Sequence, residues 1–370
     1  MSKTEKLRNA AKIFFFINLQ ILFSFIFFTM IHRREAPASA NADSQENLLV
    51  SRVLSKKPII ILLWTFPFGI RFPIYNCPQQ LDNSDCLYTA DRTQYSSAHA
   101  VVFHHRDVCT TKTQLPQTPR PSTQRWVWFN QESPSYSPNL ALMNNLMNLT
   151  ITYRLDSDIF APYGWLEKHN TTMNFTIPKK TKLAAWAISN WNPISRRVKY
   201  YGELKNHLQV DIYGKQHQKL PKDKKIETLS TYKFYFAFEN SIHEDYITEK
   251  LWYNALYSGC VPVVMGPPRE NYERFIPRDA FIHVDDFASP QELASYLLSL
   301  DKDEEKYKQY FNWRSEYYVP PQDNPWTVPY CRVCKALKDP PPYRTIASIE
   351  KWYKNEYWVI DERNVGLPLI

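Results

Sequence analysis

Residues 233–266 hold the densest set of groups able to do chemistry. Glu239 and Asn240 follow the apolar run KFYFAF, Tyr246 adds a phenol, and Glu249 and Lys250 open the apolar-periodic stretch TEKLWYNALYS. A ribose needs acceptors for its two hydroxyls and a pyrophosphate needs donors or a cation, so this assortment suits a sugar nucleotide. The field at a helix amino end favours phosphate, and Lys250 adds a mobile positive charge. Spacing alone also admits a plainer reading, with Glu249 balancing the helix dipole and Lys250 solvated.

Other candidates lie at the ends of apolar runs. Arg196, Arg197 and Lys199 begin a helix just after Ser189 and Asn190, where they could clamp a diphosphate or serve as surface charge. The segments HHRD (104–107) and WFNQESP (128–134) each end an apolar run. Glu132, in the second, is a candidate general base, because burial of a carboxylate at a strand end raises its pKa toward the working range. Asp156 and Asp158 form an Asp-x-Asp that could hold a divalent ion against a diphosphate. Lys and Arg neutralisation makes that ion unnecessary, and no metal is expected.

The elements that must place these groups read as alternating strands and helices. Strands are expected at 58–64, 100–105 and 125–130, with a helix from Ser137 through 147. Further strands are expected at 184–190, 209–214, 233–240, 261–265 and 280–284. Helices are expected at 197–208 and 248–258, and another opened by a capping box at Ser289 and Glu292. Continuous apolar strands suit parallel sheets covered on both faces, and the alternation describes a doubly wound α/β fold. Such sheets hold ligands at their carboxyl ends, which points Ser189, Asn190, Glu239 and Asn240 toward a site.

Composition narrows the function classes. Only 7 of 370 residues are Gly, against a usual share of about 7%. A P-loop ATPase and a glycine-fingerprint dehydrogenase are therefore poor matches. The net charge is +8, but Lys3, Lys6, Arg8, Lys12, Arg33 and Arg34 against Glu5 supply +5 of it, so nucleic-acid binding is not expected. Residues 13–31 carry no charge and would form about 28 Å of helix, enough to span a bilayer. A cleaved signal peptide would have a shorter apolar core. The flanking charges place residues 1–12 in the cytoplasm, residues 32–57 in a stem, and the rest on the lumenal side. Three sequons begin at Asn148, Asn170 and Asn174, and all six Cys lie beyond the span. In an oxidising compartment Cys77, Cys86, Cys331 and Cys334 read as bridges between early and late chain, with three pairings open.

The chain resembles the α-1,3-fucosyltransferase family, the GDP-fucose-dependent enzymes that build Lewis-type antigens. FYFAFENSIHEDYITEKLWYNAL (234–256) and VPVVMGPPRENYERFIPRDAFIHVDDF (261–287) look like the family's donor-binding signature. HHRD, RWVWFNQESP, YRLDSDIFAPYGW and SNWNPISRRVKYY look like its other blocks, and the resemblance covers roughly 58–358. It implies a GT-B fold of two facing Rossmann-like domains, preceded by a single transmembrane helix. The acceptor domain would be 58–183, the GDP-fucose domain 184–330, and 331–370 a tail returning to the first.

The same resemblance implies Glu132 as catalytic base and Arg197 and Lys250 at the GDP phosphates. Asn240, Tyr246 and Glu249 would surround nucleotide and fucose, and Ser189 and Asn190 would form the cleft floor. His105, Arg106, Tyr163 and Trp165 would face the acceptor, with Arg106 the form favouring type 2 chains. The reaction implied is inverting α-1,3 transfer to GlcNAc of N-acetyllactosamine, giving Lewis x-type products, at the Golgi membrane and without a cofactor. Galactosylated and sialylated glycans are the expected partners, and a homodimer is left open. The family's bridges look like links from Cys77 and Cys86 to Cys331 and Cys334, with Cys109 and Cys260 unpaired. The competing readings are a related membrane-anchored glycosyltransferase with another donor or acceptor, and a lumenal lectin that binds glycans without releasing GDP.

Overall fold

The structure, a computed structural model, describes residues 57–73, 77, 83–321 and 326–354. The cytoplasmic tail, the membrane span, nearly all of the stem and the last residues of the tail lie outside them. From Pro58 onward the described residues form one compact unit. Within it are two parallel sheets, a two-domain α/β fold consistent with GT-B.

The first sheet contains β1 (Ile59–Leu63), β2 (Cys86–Thr89), β3 (Ala100–His104), β4 (Arg125–Phe129), β5 (Leu149–Thr152) and β6 (Ile159–Phe160), in the order β2-β1-β3-β4-β5-β6. After a short β7 (Glu167–Lys168) come β8 (Lys182–Ala187), β9 (Asp211–Tyr213), β10 (Tyr232–Phe238), β11 (Val261–Met265) and β12 (Ile282–His283). These five pair in the order β12-β11-β10-β8-β9, and β13 (Tyr317–Tyr318) pairs with β7.

Both large sheets are buried on both faces, which is why their strands are apolar without alternation. In β10, Phe234, Phe236 and Phe238 face one core while Tyr235 and Ala237 face the other. In the first sheet Leu62, Val101 and Phe103 line one face, and Ile61, Leu63 and Val102 the opposite one.

The carboxyl tail supplies cover for the first sheet. Helix Thr327–Lys338 packs Tyr330, Val333 and Cys334 on one face, and helix Ile349–Lys354 packs Ile349 and Tyr353 on the other. Bridges Cys77–Cys331 and Cys86–Cys334 fasten the first of these helices, and Cys109 and Cys260 are free and buried. The bridged residues are 254 and 248 apart in sequence, and closing a loop of that length in the unfolded chain is worth about 5 kcal/mol in a chain-entropy account. Because the two loops overlap over residues 86–331, either bridge alone already closes nearly the same loop. Serine replacement of one pair is expected to shift the denaturant midpoint modestly, and loss of both pairs to cost far more than twice that. Two equal, additive losses would contradict this account.

Several expectations need correction. Residues 137–147 do not form an α-helix; they make one short 3-10 turn, Leu140–Met143. Asn139 and Asn145 adopt left-handed φ values of 56° and 59° that interrupt helix propagation. The Ser137 hydroxyl donates to the Ser133 carbonyl rather than capping a helix. The segment 248–258 is helical, but Lys250–Tyr257 winds as a π-helix. The strand at 280–284 shrinks to two residues because the His283 ring accepts the Asp285 N–H and starts a turn. Ser289 does cap its helix through the Glu292 N–H, whereas the Glu292 carboxylate accepts from Ala288, one residue earlier than a capping box requires.

The fold also separates the three sequons. Asn148 is fully buried, its Oδ1 accepts the Trp126 N–H at 2.7 Å and its Nδ2 donates to the Arg344 carbonyl at 2.6 Å, so the folded protein offers no amide there for a glycan. Asn170 and Asn174 are exposed.

Candidate active site

The site forms where strands of the two sheets end. β10 ends at Phe238, so Glu239 and Asn240 leave it directly, and β8 ends at Ala187, two residues before Ser189. Ser189 and Asn190 are both exposed. Helix Arg196–Leu204 follows, and its first two residues diverge. Arg196 turns outward to Asp285, while Arg197 is buried. The Arg197 guanidinium donates to the carbonyls of Phe238 at 3.3 Å and Asn190 at 3.0 Å, which fixes a cation across the carboxyl ends of β10 and β8.

Lys250 is not a solvated lysine. Its Nζ lies 3.0 Å from Glu239 Oε2, 2.8 Å from the Thr248 hydroxyl and 3.5 Å from Glu249 Oε1. The side chains of Lys250 and Glu239 are 14% and 1% exposed, so the pair is withdrawn from water. Burial alone would lower the lysine pKa, but the carboxylates of Glu239 and Glu249 outweigh it and hold it above its ordinary value. Lys250 is therefore a cation throughout the working pH range. Glu239 also accepts the Thr248 N–H at 2.8 Å and the Thr248 hydroxyl at 2.9 Å, which locks the entry to the π-helix. A π-helix is uncommon and often marks a functional site.

Glu132 approaches from the first sheet, three residues past the end of β4. Its backbone is held from several directions: Asn130 donates to its carbonyl at 3.3 Å and the Tyr353 hydroxyl does so at 2.5 Å. Its neighbours reach across to the second sheet's loops, Ser241 donating to Ser133 at 2.6 Å and His243 lying 2.7 Å from the Ser135 hydroxyl. Tyr163 donates to the carbonyl of Gln131 at 2.6 Å. Burial pushes the Glu132 carboxyl above its ordinary pKa; Lys250 opposes this, Glu249 adds to it, and Arg106 and His104 pull downward without reversing it. Glu132, Lys250, Glu249 and Arg106 therefore share one field, and Lys250 in turn feels Arg197.

This geometry gathers a half-buried carboxylate, a permanent ammonium and a fixed guanidinium at the carboxyl ends of two parallel sheets. It can take a proton from a hydroxyl on one side and neutralise a diphosphate on the other. The residues match known proteins in the same two parts. Residues 56–164 match the "Fucosyltransferase, N-terminal" family and residues 177–352 match "Glycosyltransferase family 10 (fucosyltransferase) C-term". The chain belongs to the fucosyltransferases.

This fucosyltransferase is 51% identical over 299 residues to the 4-galactosyl-N-acetylglucosaminide 3-alpha-L-fucosyltransferase FUT6 of Pongo pygmaeus, covering 80% of this chain and 82% of that one. It is 46% identical over 341 residues to the 3-galactosyl-N-acetylglucosaminide 4-alpha-L-fucosyltransferase FUT3 of Homo sapiens, covering 90% and 94%. A crystal structure of an alpha1,3-fucosyltransferase with GDP-fucose has the same fold, with TM-score 0.51 and 19% identity over 79% of this chain and 92% of that one. The chain is thus a glycosyltransferase of fucosyltransferase type.

The remaining residues named from the sequence fall in varied places. Tyr246 is buried, with its ring 5.0 Å from that of Tyr153 and 6.3 Å from that of Tyr163. Asn240 is half-buried and accepts from the Ser241 hydroxyl. Arg106 is exposed beside the cleft. His105 is buried, one ring nitrogen bonded to the Pro138 carbonyl at 2.9 Å and the other accepting from Trp128 at 3.2 Å. Burial pushes its pKa down to about 4, so it is a neutral brace under Arg106 with both nitrogens in use. Trp165 donates to Glu167 at 3.0 Å and carries the Arg332 guanidinium over its ring at 5.8 Å.

The Asp-x-Asp carboxylates are occupied by the protein itself. Asp156 takes both arms of Arg154 and the Trp352 indole N–H, and Asp158 takes the Thr150 amide and Arg344. Their work is to seat the carboxyl-terminal helix. Reading the sequence alone missed one contributor and one pairing. Tyr353 lies far along the chain, and no spacing rule joins it to Glu132. Glu239 was visible at its strand end, but its pairing with Lys250 appears only once the π-helix brings the ammonium back.

Proposed function

We propose that this fucosyltransferase transfers L-fucose from GDP-β-L-fucose to O3 of GlcNAc in N-acetyllactosamine (type 2) acceptors, with inversion, giving Lewis x-type products. In this reading residues 58–183 hold the acceptor, 184–330 hold the donor, and 331–370 return to the acceptor part. The observation that carries it is Glu132, raised in pKa and braced from three segments, in the same field as the paired Lys250. Its carboxylate takes the O3 proton as O3 attacks fucose C1. The bond from C1 to the β-phosphate oxygen breaks, and GDP leaves with the electron pair. Attack opposite the leaving group converts the β-linked donor to an α-fucoside. The transition state carries oxocarbenium character, and Lys250 and Arg197 stabilise the departing diphosphate in place of an acid.

A second reading is α-1,4 transfer to type 1 chains, favoured by the similarity to the 4-alpha-L-fucosyltransferase of Homo sapiens. Matched type 1, type 2 and sialylated acceptors, assayed with GDP-fucose for released GDP and for product linkage, separate the two. A reaction that favours type 1 chains would overturn the type 2 assignment. Residues 13–31 as a signal anchor and the catalytic part in the Golgi lumen complete the proposal.

The raised Glu132 pKa also sets a pH dependence. A base must be deprotonated, and a raised pKa keeps the carboxyl neutral to a higher pH than an ordinary carboxylate. Fucosyl transfer is therefore expected to rise with pH through an acidic limb lying above the usual carboxylate range. The check is kcat/KM for acceptor against pH, where a limb at an ordinary glutamate pKa would show Glu132 unperturbed.

A further inference from the structure

The loop that follows β1 presents an aromatic ring that no part of the proposed chemistry uses. Phe66 and Phe72 anchor its two sides, 5.4 Å from each other, with Phe72 a further 5.4 Å from Tyr330 of the disulfide-fastened helix. Phe68, at the apex, is instead 48% exposed. It also stands at φ 56° and ψ 24°, a left-handed conformation that a bulky side chain seldom adopts. Strain of this kind persists where the surroundings impose it, and it gathers at ligand sites.

What surrounds Phe68 locates the ring. It meets His104 at 5.0 Å and 65° and Trp326 at 5.9 Å and 62°. His104 ends β3 beside Phe129, its register partner at the end of β4, and Glu132 follows Phe129 by three residues. The turn Pro67–Gly69 packs on the short helix His105–Val108, which carries Arg106. Phe68 thus holds a fixed position, half open to solvent, at the same sheet end as the carboxylate and beside the short helix that carries Arg106.

We propose that Phe68, backed by His104 and Trp326, is a stacking shelf for a pyranose ring of the acceptor. One face of a hexose presents C–H bonds whose weak positive charge suits the negative face of an aromatic ring. Polar fixing is then left to groups such as Arg106, which fits a site that combines apolar area with a few placed polar groups. The shelf belongs to the first sheet, opposite the donor-side cations, so it acts on acceptor and not on nucleotide. This inference rests on the fucosyl-transfer reading of the site.

The test uses the full chain in detergent with N-acetyllactosamine and GDP-fucose. Phe68→Ala is expected to raise acceptor KM by about tenfold with GDP-fucose KM unchanged, and Phe68→Tyr is expected to restore acceptor KM. Phe68→Gly, which removes the backbone strain along with the ring, is expected to match the alanine variant. Binding of N-acetyllactosamine followed by saturation-transfer NMR needs no turnover and is expected to show the same loss in both ring-less variants. Acceptor KM and acceptor binding in Phe68→Ala within twofold of wild type would overturn the shelf, as would an equal rise in GDP-fucose KM. Failure of the underlying reading is visible separately, as unaltered protein that binds acceptor but releases no GDP.

Discussion

Replacing Glu132 with glutamine is expected to lower turnover by about 10²-fold or more while leaving GDP-fucose affinity within about twofold. The amide keeps the shape of the carboxylate but cannot accept the O3 proton. The backbone contacts to Glu132 from Asn130 and Tyr353 do not involve the changed atoms, so the loop stays in place. Neutralising that carboxylate leaves the anchors of Lys250 and Arg197, the cations assigned to the donor, untouched. The acidic limb of the pH profile should disappear in the same variant. Turnover close to that of the unaltered protein would end the assignment of Glu132 as the base.

The second large effect belongs to Lys250. Loss of a charge-assisted contact to the diphosphate is worth about 1.5–3 kcal/mol, roughly ten- to a hundredfold in GDP affinity. Lys250→Ala has a further consequence, because Glu239 is almost wholly buried, burial already raises its pKa, and the variant removes the cation that opposes that shift. Breaking a buried pair from one side costs about 3–5 kcal/mol of stability. The single variant is therefore expected both to bind GDP weakly and to melt early. The double variant Glu239→Gln with Lys250→Met removes both charges at similar volume. It is expected to recover most of the stability and none of the GDP affinity. Calorimetric titration with GDP beside thermal melts reads both, and unaltered GDP affinity in the double variant would show the lysine to be structural.

Much of the fold could be read from residue pattern. Strands such as Ala100–His104, Arg125–Phe129 and Val261–Met265 are continuous apolar runs because helices and the returning tail cover both faces of their sheets. Where pattern failed, a local conformation overrode it. Ser137 with Pro138 looks like a helix start, but the left-handed asparagines at 139 and 145 confine the helical winding to a single turn. The apolar spacing after Thr248 predicts a helix without revealing its π winding, since both bury the same face.

The candidate site is legible in the sequence as charged residues at element ends, and their supports are not. Glu132, Arg197 and Lys250 stand at strand ends and helix starts, where their types carry information. Whether a basic residue points inward does not: Arg196 and Arg197 are adjacent, yet only the second is buried, because only its guanidinium reaches the strand-end carbonyls. Asp156 and Asp158 mislead in the opposite direction, since a spacing suited to a metal is spent on Arg154, Trp352, Thr150 and Arg344. Exposure decided the sequons in the same way, with Asn148 inside and Asn170 outside.

In the proposed reaction a base on the first sheet and cations on the second act on the two ends of a fucosyl transfer. The product tests it most directly. The full chain in detergent, given GDP-fucose and N-acetyllactosamine, should release GDP and yield a trisaccharide whose NMR spectrum shows fucose α-linked to O3 of GlcNAc. A β-linked fucose, or acceptor returned unchanged while GDP-fucose is bound, would contradict it.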